Sequence, residues 1–361
     1  MLNQSQIEQL INEYRDESAL MTLGDSKAKV SVAINDTQLN VSVTLGYPVQ
    51  AYSNVLKAGL EALLTKESGF NAISVAIDWK VQQHKVQQGV KALDNIKNII
   101  AVASGKGGVG KSTTSVNLAL ALAAEGATVG ILDADIYGPS QPRMLGTTQR
   151  PESEDGKSIE PIESYGLQSM SMGFLVDEEE PMIWRGPMVT QALEQMLNDT
   201  NWRNLDYLVI DLPPGTGDIQ LTLSQKVPVS GSVIVTTPQD ISLLDARKAL
   251  KMFEKVNVPV MGVIENMSTH VCSECGHEEH IFGAGGGDKM AKQYGIDLLG
   301  SLPLDIKIRE DADTGHPTVV ADPDGSISMA YRGIARRVGA RLAQQGKDYS
   351  SAFPNIVIKN D

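Results

Sequence analysis

The chain has 361 residues, a formal net charge of −13, 42% apolar residues and 21% charged residues, values typical of a folded protein large enough for two domains. The acidic balance argues against nucleic acid or an anionic membrane as the main partner, because both attract basic surfaces. No apolar run is long enough to span a membrane, and the first residues lack the order of a signal peptide. Two cysteines separated by two residues exclude a secreted disulfide framework, so we expect a cytoplasmic protein.

Residues 1–80 predict a small α/β domain that contains no cysteine. Apolar residues recur first with helical spacing and then alternate with polar residues, as in half-buried strands. The predicted elements are a helix over 2–14, a hairpin over 27–45 that turns at Asn35 and Asp36, a helix over 53–66 and a strand over 71–81. The next stretch, 81–95, is rich in glutamine with little to bury, and we expect a linker there.

Residues 96–346 alternate short apolar runs with segments of helix length. Such runs predict an α/β fold with a mostly parallel sheet flanked by helices, in which ligands bind at the carboxyl ends of the strands. The last predicted helix, about 327–345, has core spacing on one face, and Arg332, Arg336 and Arg337 are expected on a solvated face. A polar tail is expected over 347–361.

The segment GKGGVGKST follows the first apolar run and opens a predicted helix. It fits the P-loop pattern, whose glycines let backbone N–H groups approach phosphate oxygens at a helix N-terminus. Lys111 is expected to neutralise the β- and γ-phosphates, and the Ser112 hydroxyl to ligate Mg²⁺. The expected nucleotide-binding residues of this loop are Gly105, Lys106, Gly107, Gly108, Val109, Gly110, Lys111, Ser112 and Thr113.

A second lysine, Lys106, follows the first glycine of the loop, where an ordinary P-loop needs none. With it, the segment resembles the deviant Walker A motif of the MinD/ParA-type ATPases. That resemblance implies a homodimer that sandwiches nucleotide, with Lys106 reaching the nucleotide of the partner copy.

Acidic residues follow two further apolar runs: Asp133 and Asp135 end one, and Asp211 ends the next. Phosphoryl transfer needs carboxylates that hold the waters of Mg²⁺ and orient the attacking water. By resemblance, Asp135 is the residue that positions this water, Asp133 and Asp211 lie on the magnesium side, and the Gly215 amide senses the γ-phosphate. Taken singly, each aspartate is more often a turn or cap residue.

The base of the nucleotide is predicted to be adenine. The Asn-Lys-x-Asp element typical of GTPases is absent, and Asn266 follows an apolar run at the place where the resembled family contacts adenine. An asparagine amide can pair with the donor and acceptor edge of adenine. We therefore expect ATP rather than GTP.

The Cys-x-x-Cys segment is compatible with more than one kind of metal site. Cys272 and Cys275, with two of the nearby His270, His277 and His280, could supply the four ligands of a structural zinc site. The alternative function is then a MinD/ParA-like positioning ATPase with a zinc knuckle. A thioredoxin-like thiol pair is disfavoured, because the neighbouring glutamates would raise the thiol pKa.

A more specific resemblance covers about residues 96–345. Its segments resemble, in order, those of the Mrp/ApbC-type iron–sulfur cluster carriers: residues 182–197, 206–218, 262–291 and 298–305. The resemblance implies that Cys272 and Cys275 of two copies share one bridging 4Fe–4S cluster. It also implies partners among apo iron–sulfur proteins and the cluster-assembly machinery, and it likens residues 1–80 to a domain often fused to these carriers.

Overall fold

The structure, a computed structural model, describes residues 1–35, 37–87, 90–176 and 186–346. The predicted turn residue Asp36, the start of the 182–197 segment and the predicted tail over 347–361 lie outside the described residues. Across the described part of the chain, no helix has both the length and the apolar character that crossing a bilayer requires.

The N-terminal unit, residues 1–80, packs two helices on one face of a three-stranded sheet. Its elements are α1 (Gln4–Glu13), β1 (Arg15–Asp16), β2 (Met21–Thr22), β3 (Lys29–Asn35), β4 (Gln38–Leu45), α2 (Ser53–Glu67) and β5 (Ala72–Trp79). Helix α1 begins at a capping box between Asn3 and Gln6. The predicted helices and strands of this unit are confirmed, whereas the two-residue strands β1 and β2 are too short to leave a periodic pattern.

The P-loop unit, residues 96–346, contains the remaining elements. Its first half consists of β6 (Ile96–Ala103), α3 (Lys111–Ala124), β7 (Val129–Asp133), α4 (Gln141–Met144), β8 (Ile162–Ser164), β9 (Leu167–Ser171), a 3₁₀ turn (Met172–Phe174) and α5 (Gly186–Asp199). Its second half consists of β10 (Leu205–Asp211), α6 (Asp218–Lys226), β11 (Gly231–Thr236), α7 (Asp240–Lys255), β12 (Val260–Glu265), β13 (His270–Val271), β14 (Glu278–Glu279), α8 (Gly286–Tyr294), β15 (Leu298–Ser301), α9 (Ile306–Asp313), α10 (Thr318–Ala321) and α11 (Ser326–Ala343).

Eight strands form the central sheet in the order β15-β12-β11-β6-β10-β7-β9-β8. All neighbours pair in parallel except β8 and β9, which are antiparallel. The α/β fold with a mostly parallel sheet is therefore confirmed. Register sets Asp211 beside Val102 on β6 and beside Asp133 on β7, so the strand ends predicted to carry the site meet at one edge.

Helices cover both faces of this sheet and bury its β-branched side chains. One core joins the sheet to α3 and α11, where Leu118 and Ile334 are fully or almost fully buried. The other joins it to α5, α6 and α7 through side chains such as Leu193 and Phe253. Burial on both faces explains why the strands read as continuous apolar runs.

The predicted linker over 81–95 is packed more tightly than its composition suggested. Val81, His84 and Gln87 are buried. Both the backbone N–H and Nδ1 of His84 lie within 3.1 Å of Oδ1 of Asn98 on β6. The side-chain amide of Gln87 donates to the carbonyl of Ser224 at 2.7 Å, near the end of α6. Gln87 is thus a buried hydrogen-bond donor to the P-loop unit, so the expectation of little to bury was wrong.

The N-terminal unit docks on two arginines of α11, one of which is held in a buried ion pair within the P-loop unit. Arg336 pairs with Glu125, which follows α3, and both side chains are more than 90% buried. Arg336 also donates to Ser18 and lies 4.7 Å from the ring centre of Tyr52. Arg337 donates to the Ser18 carbonyl at 3.0 Å. These two arginines were expected to face solvent, and the correction is that the N-terminal unit covers them.

We predict that Arg336→Met lowers the free energy of unfolding by about 3–5 kcal/mol, because it leaves the Glu125 carboxylate buried without its partner. Burial already raises the pKa of Glu125, and Arg336 opposes that shift. Urea unfolding followed by tryptophan fluorescence measures the change. Arg309→Met is the matched control, since Arg309 is 64% exposed and pairs with an exposed glutamate, so it should cost at most about 1 kcal/mol.

Candidate active site

The loop between β6 and α3 has the backbone geometry of a phosphate cradle. Gly110 immediately precedes α3 at φ 79°, in the left-handed region that favours glycine. A Cβ at this position would also lie 2.2 Å from the side-chain amide of Asn266. At Gly105 a Cβ would lie 2.1 Å from the backbone of Asp245 on α7. The glycines therefore permit both the turn of the loop and its close packing.

Lys111 and Asp211 form a buried ion pair at the centre of the site. Nζ of Lys111 lies 2.6 Å from Oδ1 of Asp211, with 6% and 0% of the two side chains exposed. Nζ also lies 3.1 Å from the Ser112 hydroxyl. Ser115, one turn into α3, donates to the same carboxylate oxygen at 2.8 Å. The predicted phosphate lysine is thus held beside the predicted magnesium residues.

Asp133 organises the loop that carries Asp135. Its carboxylate accepts hydrogen bonds from the backbone N–H groups of Asp135, Ser140 and Gln141 at 2.9–3.1 Å, and from the Ser171 hydroxyl at 3.0 Å. Burial and, to a lesser degree, the charge of Asp211 raise the pKa of Asp133 to about 7. The placement of Asp133 on the magnesium side stays a prediction, since its oxygens already serve the loop.

Asp135 is partly buried at the front of this loop. Burial raises the pKa of its carboxyl group, and the nearby Lys111 ammonium opposes the shift. The amide of Gly215, with φ 101°, lies at the end of the adjacent strand and donates to the Ser104 carbonyl at 3.1 Å. The carboxylates and the amide predicted for phosphoryl transfer therefore share one edge of the sheet.

Lys106 and Asn266 flank the cradle. Lys106 is partly exposed, and its ammonium takes part in none of the ion pairs within the described ranges. Asn266 is buried and donates from Nδ2 to the Val109 carbonyl at 2.9 Å, which braces the P-loop. Sequence reasoning missed this bracing role. The adenine contact of Asn266 stays a prediction that competition between ATP and GTP can test.

Gln141, like Ser115 and Ser171, is a site residue that sequence reasoning missed. It is fully buried, and its side-chain amide donates to Asp211 at 3.1 Å and to the Ser112 carbonyl at 3.2 Å. A lone glutamine between a serine and a proline offers no motif, so nothing in the sequence marks it.

The two cysteines lie on a short hairpin formed by β13 and β14, which follows β12 at the same edge of the sheet. Cys272 is partly exposed, Cys275 is exposed and both thiols are free. The turn closes through a hydrogen bond from the Cys272 amide to the His277 carbonyl at 2.9 Å. Backbone N–H groups of Cys275 and Glu274 lower the pKa of the Cys272 thiol, contrary to the expectation that glutamates would raise it.

Two of the neighbouring histidines have backbone carbonyls as partners. Nδ1 of His270 lies 3.0 Å from the Leu304 carbonyl, and Nδ1 of His280 lies 3.0 Å from the Ser268 carbonyl. The His277 side chain is 68% exposed. Among the residues that the structure describes, no three His, Cys, Asp or Glu side chains are grouped so that they could hold a metal ion.

Residues 95–339 match the protein family described as NUBPL iron-transfer P-loop NTPase, of the ParA type. The chain belongs to this family. The resemblance to the iron–sulfur carriers is thereby confirmed. Some relatives align with this iron-transfer P-loop NTPase over nearly its full length. A Haemophilus influenzae protein named iron-sulfur cluster carrier protein is 51% identical over 98% of this chain and 95% of its own length.

Further relatives carry similar names. A Pseudomonas fragi iron-sulfur cluster carrier protein is 59% identical over 78% of this chain and 99% of its own length. The mouse iron-sulfur cluster transfer protein NUBPL is 52% identical over 70% of this chain and 80% of its own.

Solved structures support the same fold. A nucleotide-binding protein from Archaeoglobus fulgidus in complex with ADP is 37% identical, with a TM-score of 0.57 over 64% of this chain and 91% of its own. The Pyrococcus furiosus cell division ATPase MinD is 22% identical, with a TM-score of 0.51 over 67% of this chain and 98% of its own. The MinD likeness shows the fold alone.

We predict that Lys111→Met abolishes ATP binding and also lowers the free energy of unfolding by about 3–5 kcal/mol, because Asp211 is left charged and buried. The double variant Lys111→Met/Asp211→Asn removes that charge. It should recover most of the stability while ATP binding stays lost. Urea unfolding and titration with a fluorescent ATP analogue separate the two effects. Recovery of nucleotide binding in the double variant would contradict the role of Lys111 as a phosphate ligand.

Proposed function

We propose that this chain is an ATP-dependent carrier that binds a labile iron–sulfur cluster and transfers it to apo-proteins. The observation that carries the proposal is the position of two free, solvent-accessible cysteines at the edge of the sheet that also holds the P-loop. Nucleotide chemistry at that edge can act on the cysteine hairpin through the adjoining strand ends. The names of the bacterial and mouse relatives support the same function.

The proposed carrier works as a homodimer. A 4Fe–4S cluster takes four thiolates, whereas one chain supplies only Cys272 and Cys275. A two-fold axis would bring a second pair to the same cluster. Lys106 supports this arrangement, because the residue is partly exposed and its ammonium forms no ion pair within the described ranges. The cluster is cargo, and the acidic side chains of the hairpin disfavour further negative charge, which helps release.

The proposed hydrolysis uses the groups gathered at the P-loop. Lys111 would bind the β- and γ-phosphates, and Ser112 would ligate Mg²⁺ with Asp211 on the magnesium side. Mg²⁺ would supply charge neutralisation. Asp135 orients the attacking water, and the Gly215 amide senses the γ-phosphate. We propose slow intrinsic turnover, since the sequence marks no arginine finger supplied in cis. Single-turnover kinetics with radiolabelled ATP measures that rate.

The proposed partners are apo iron–sulfur proteins and the assembly machinery that loads the cluster. A cytoplasmic location fits two thiols that stay reduced, and cell fractionation tests it. The division into domains over 1–80 and 96–346, joined by 81–95 and followed by a tail over 347–361, also remains a proposal that limited proteolysis can test.

The alternative, a positioning ATPase with a zinc knuckle, has less support. A structural zinc site needs ligand side chains that converge on one point, and the described part of the chain shows no group of three or more such side chains. A single described chain therefore lacks the four converging ligands that a structural zinc site uses.

We predict that anaerobic reconstitution yields about four iron and four sulfide per dimer, because four thiolates bind one such cluster. Either Cys272→Ser or Cys275→Ser should lose the cluster and keep ATP binding. Metal and sulfide analysis on the size-separated dimer measures the stoichiometry. One zinc per monomer, lost on changing His277 or His280 and indifferent to dimer disruption, would contradict the carrier function.

We predict that Lys106→Ala retains ATP affinity and loses most ATP hydrolysis, because its ammonium completes the site of the partner copy. Equilibrium binding and steady-state hydrolysis measured on one preparation compare the two quantities. Lys157→Ala is the control, since Lys157 is an exposed lysine remote from the P-loop. Unchanged turnover in Lys106→Ala would argue against a nucleotide sandwiched between two copies.

A further inference from the structure

Gln141 links the phosphate loop to two of the acidic strand ends. From one buried side chain, Nε2 donates to Oδ2 of Asp211 at 3.1 Å and to the Ser112 carbonyl at 3.2 Å. Its backbone N–H donates to Oδ2 of Asp133 at 3.1 Å. Asp211 is thereby held on both oxygens, since Lys111 occupies Oδ1. Hydrogen bonds to a charged acceptor are the stronger kind, so these contacts restrain the carboxylate.

The same residue closes the loop that carries Asp135. This loop leaves β7 after Asp133 and returns to it, because Asp133 accepts the amide of Asp135 through Oδ1 and the amides of Ser140 and Gln141 through Oδ2. A movement of Gln141 would therefore shift Asp211 and the end of the Asp135 loop together.

In the side-chain amide of Gln141, the N–H donors are used and the oxygen is not. Within the described ranges, Oε1 of Gln141 is buried and has no hydrogen-bond partner. A buried acceptor without a partner costs free energy that an apolar side chain of the same size would avoid. The orientation of the amide follows from its surroundings, because both neighbouring oxygens, of Asp211 and of Ser112, are acceptors and need N–H groups.

We propose that Gln141 is a positioning residue for phosphoryl transfer. It orients Oδ2 of Asp211 toward the waters that would surround Mg²⁺, and it holds the Asp135 loop in a fixed position relative to Asp211. The inference rests on the proposed ATPase function. Gln141 acts through these carboxylates and through the Ser112 backbone, whereas the phosphates are bound by the loop itself. Its loss therefore affects turnover and magnesium coupling more than nucleotide affinity.

The test compares Gln141→Met with the wild type. Methionine matches glutamine in length and volume and has no N–H donor. We expect kcat to fall about 10- to 100-fold, the effect of losing a hydrogen bond to a charged group, while KM for ATP at saturating Mg²⁺ changes less than twofold. Gln149→Met is the matched control, because Gln149 is an exposed glutamine in the segment after α4.

A second measurement needs no turnover. The Mg²⁺ concentration that half-saturates binding of a fluorescent non-hydrolysable ATP analogue should rise several-fold in Gln141→Met, with magnesium-free binding unchanged. Gln141→Glu, a second variant of the same length, places a carboxyl group beside Asp211 and should show at least as large an effect. Both variants should remain folded but unfold at lower urea concentrations than the wild type, because Asp211 and the Ser112 carbonyl lose a buried N–H donor.

The outcomes separate this role from the proposed function. Wild-type values of kcat and magnesium half-saturation in Gln141→Met would overturn the positioning role, and so would equal weakening of binding with and without Mg²⁺. If Gln141→Met does not fold, Gln141→Glu decides by the same two measurements. A wild type without ATPase activity would contradict the proposed function, and magnesium-dependent binding would still decide the role of Gln141.

Discussion

The buried ion pair between Lys111 and Asp211 is the interaction on which the rest of the site depends. It joins the first turn of the P-loop helix to the end of the neighbouring strand, in a place where neither charge reaches bulk water. Such a pair is stable only when further hydrogen bonds satisfy the remaining polar atoms. Ser115 and Gln141 supply them for Asp211, so the local structure around the pair is set by the need to compensate one buried carboxylate.

A second buried carboxylate organises the neighbouring loop. Asp133 accepts four hydrogen bonds from residues 135–171, so it acts as the fixed point around which the Asp135 loop folds. The parallel sheet places Asp133 directly beside Asp211. Burial and the repulsion between the two carboxylates disfavour the charged form of Asp133. A bound cation would relieve that repulsion.

The sequence was sufficient to predict those parts of the site that depend on a local motif or on the order of the strands. The P-loop is a contiguous motif, and Asp133 and Asp211 follow apolar runs whose parallel pairing brings their ends together. It was insufficient where a role depends on approach in three dimensions. Gln141 belongs to no motif, and Arg336 lies on the polar face of its helix by periodicity. Only the docking of the N-terminal unit reveals that Arg336 is buried. The packing of Gln87 was missed for the same reason, since composition does not reveal which carbonyls are within reach.

The N-terminal unit is attached at the amino edge of the central sheet. The backbone of Gln50 bonds to Glu125 at the end of α3, and Tyr47 packs on Gly339 near the end of α11. The nucleotide loop and the cysteine hairpin occupy the opposite edge. The N-terminal unit is therefore attached away from the nucleotide loop and the cysteine hairpin. A change within the N-terminal unit therefore leaves the nucleotide loop and the cysteine hairpin unaltered, so the two ends of the molecule can vary independently.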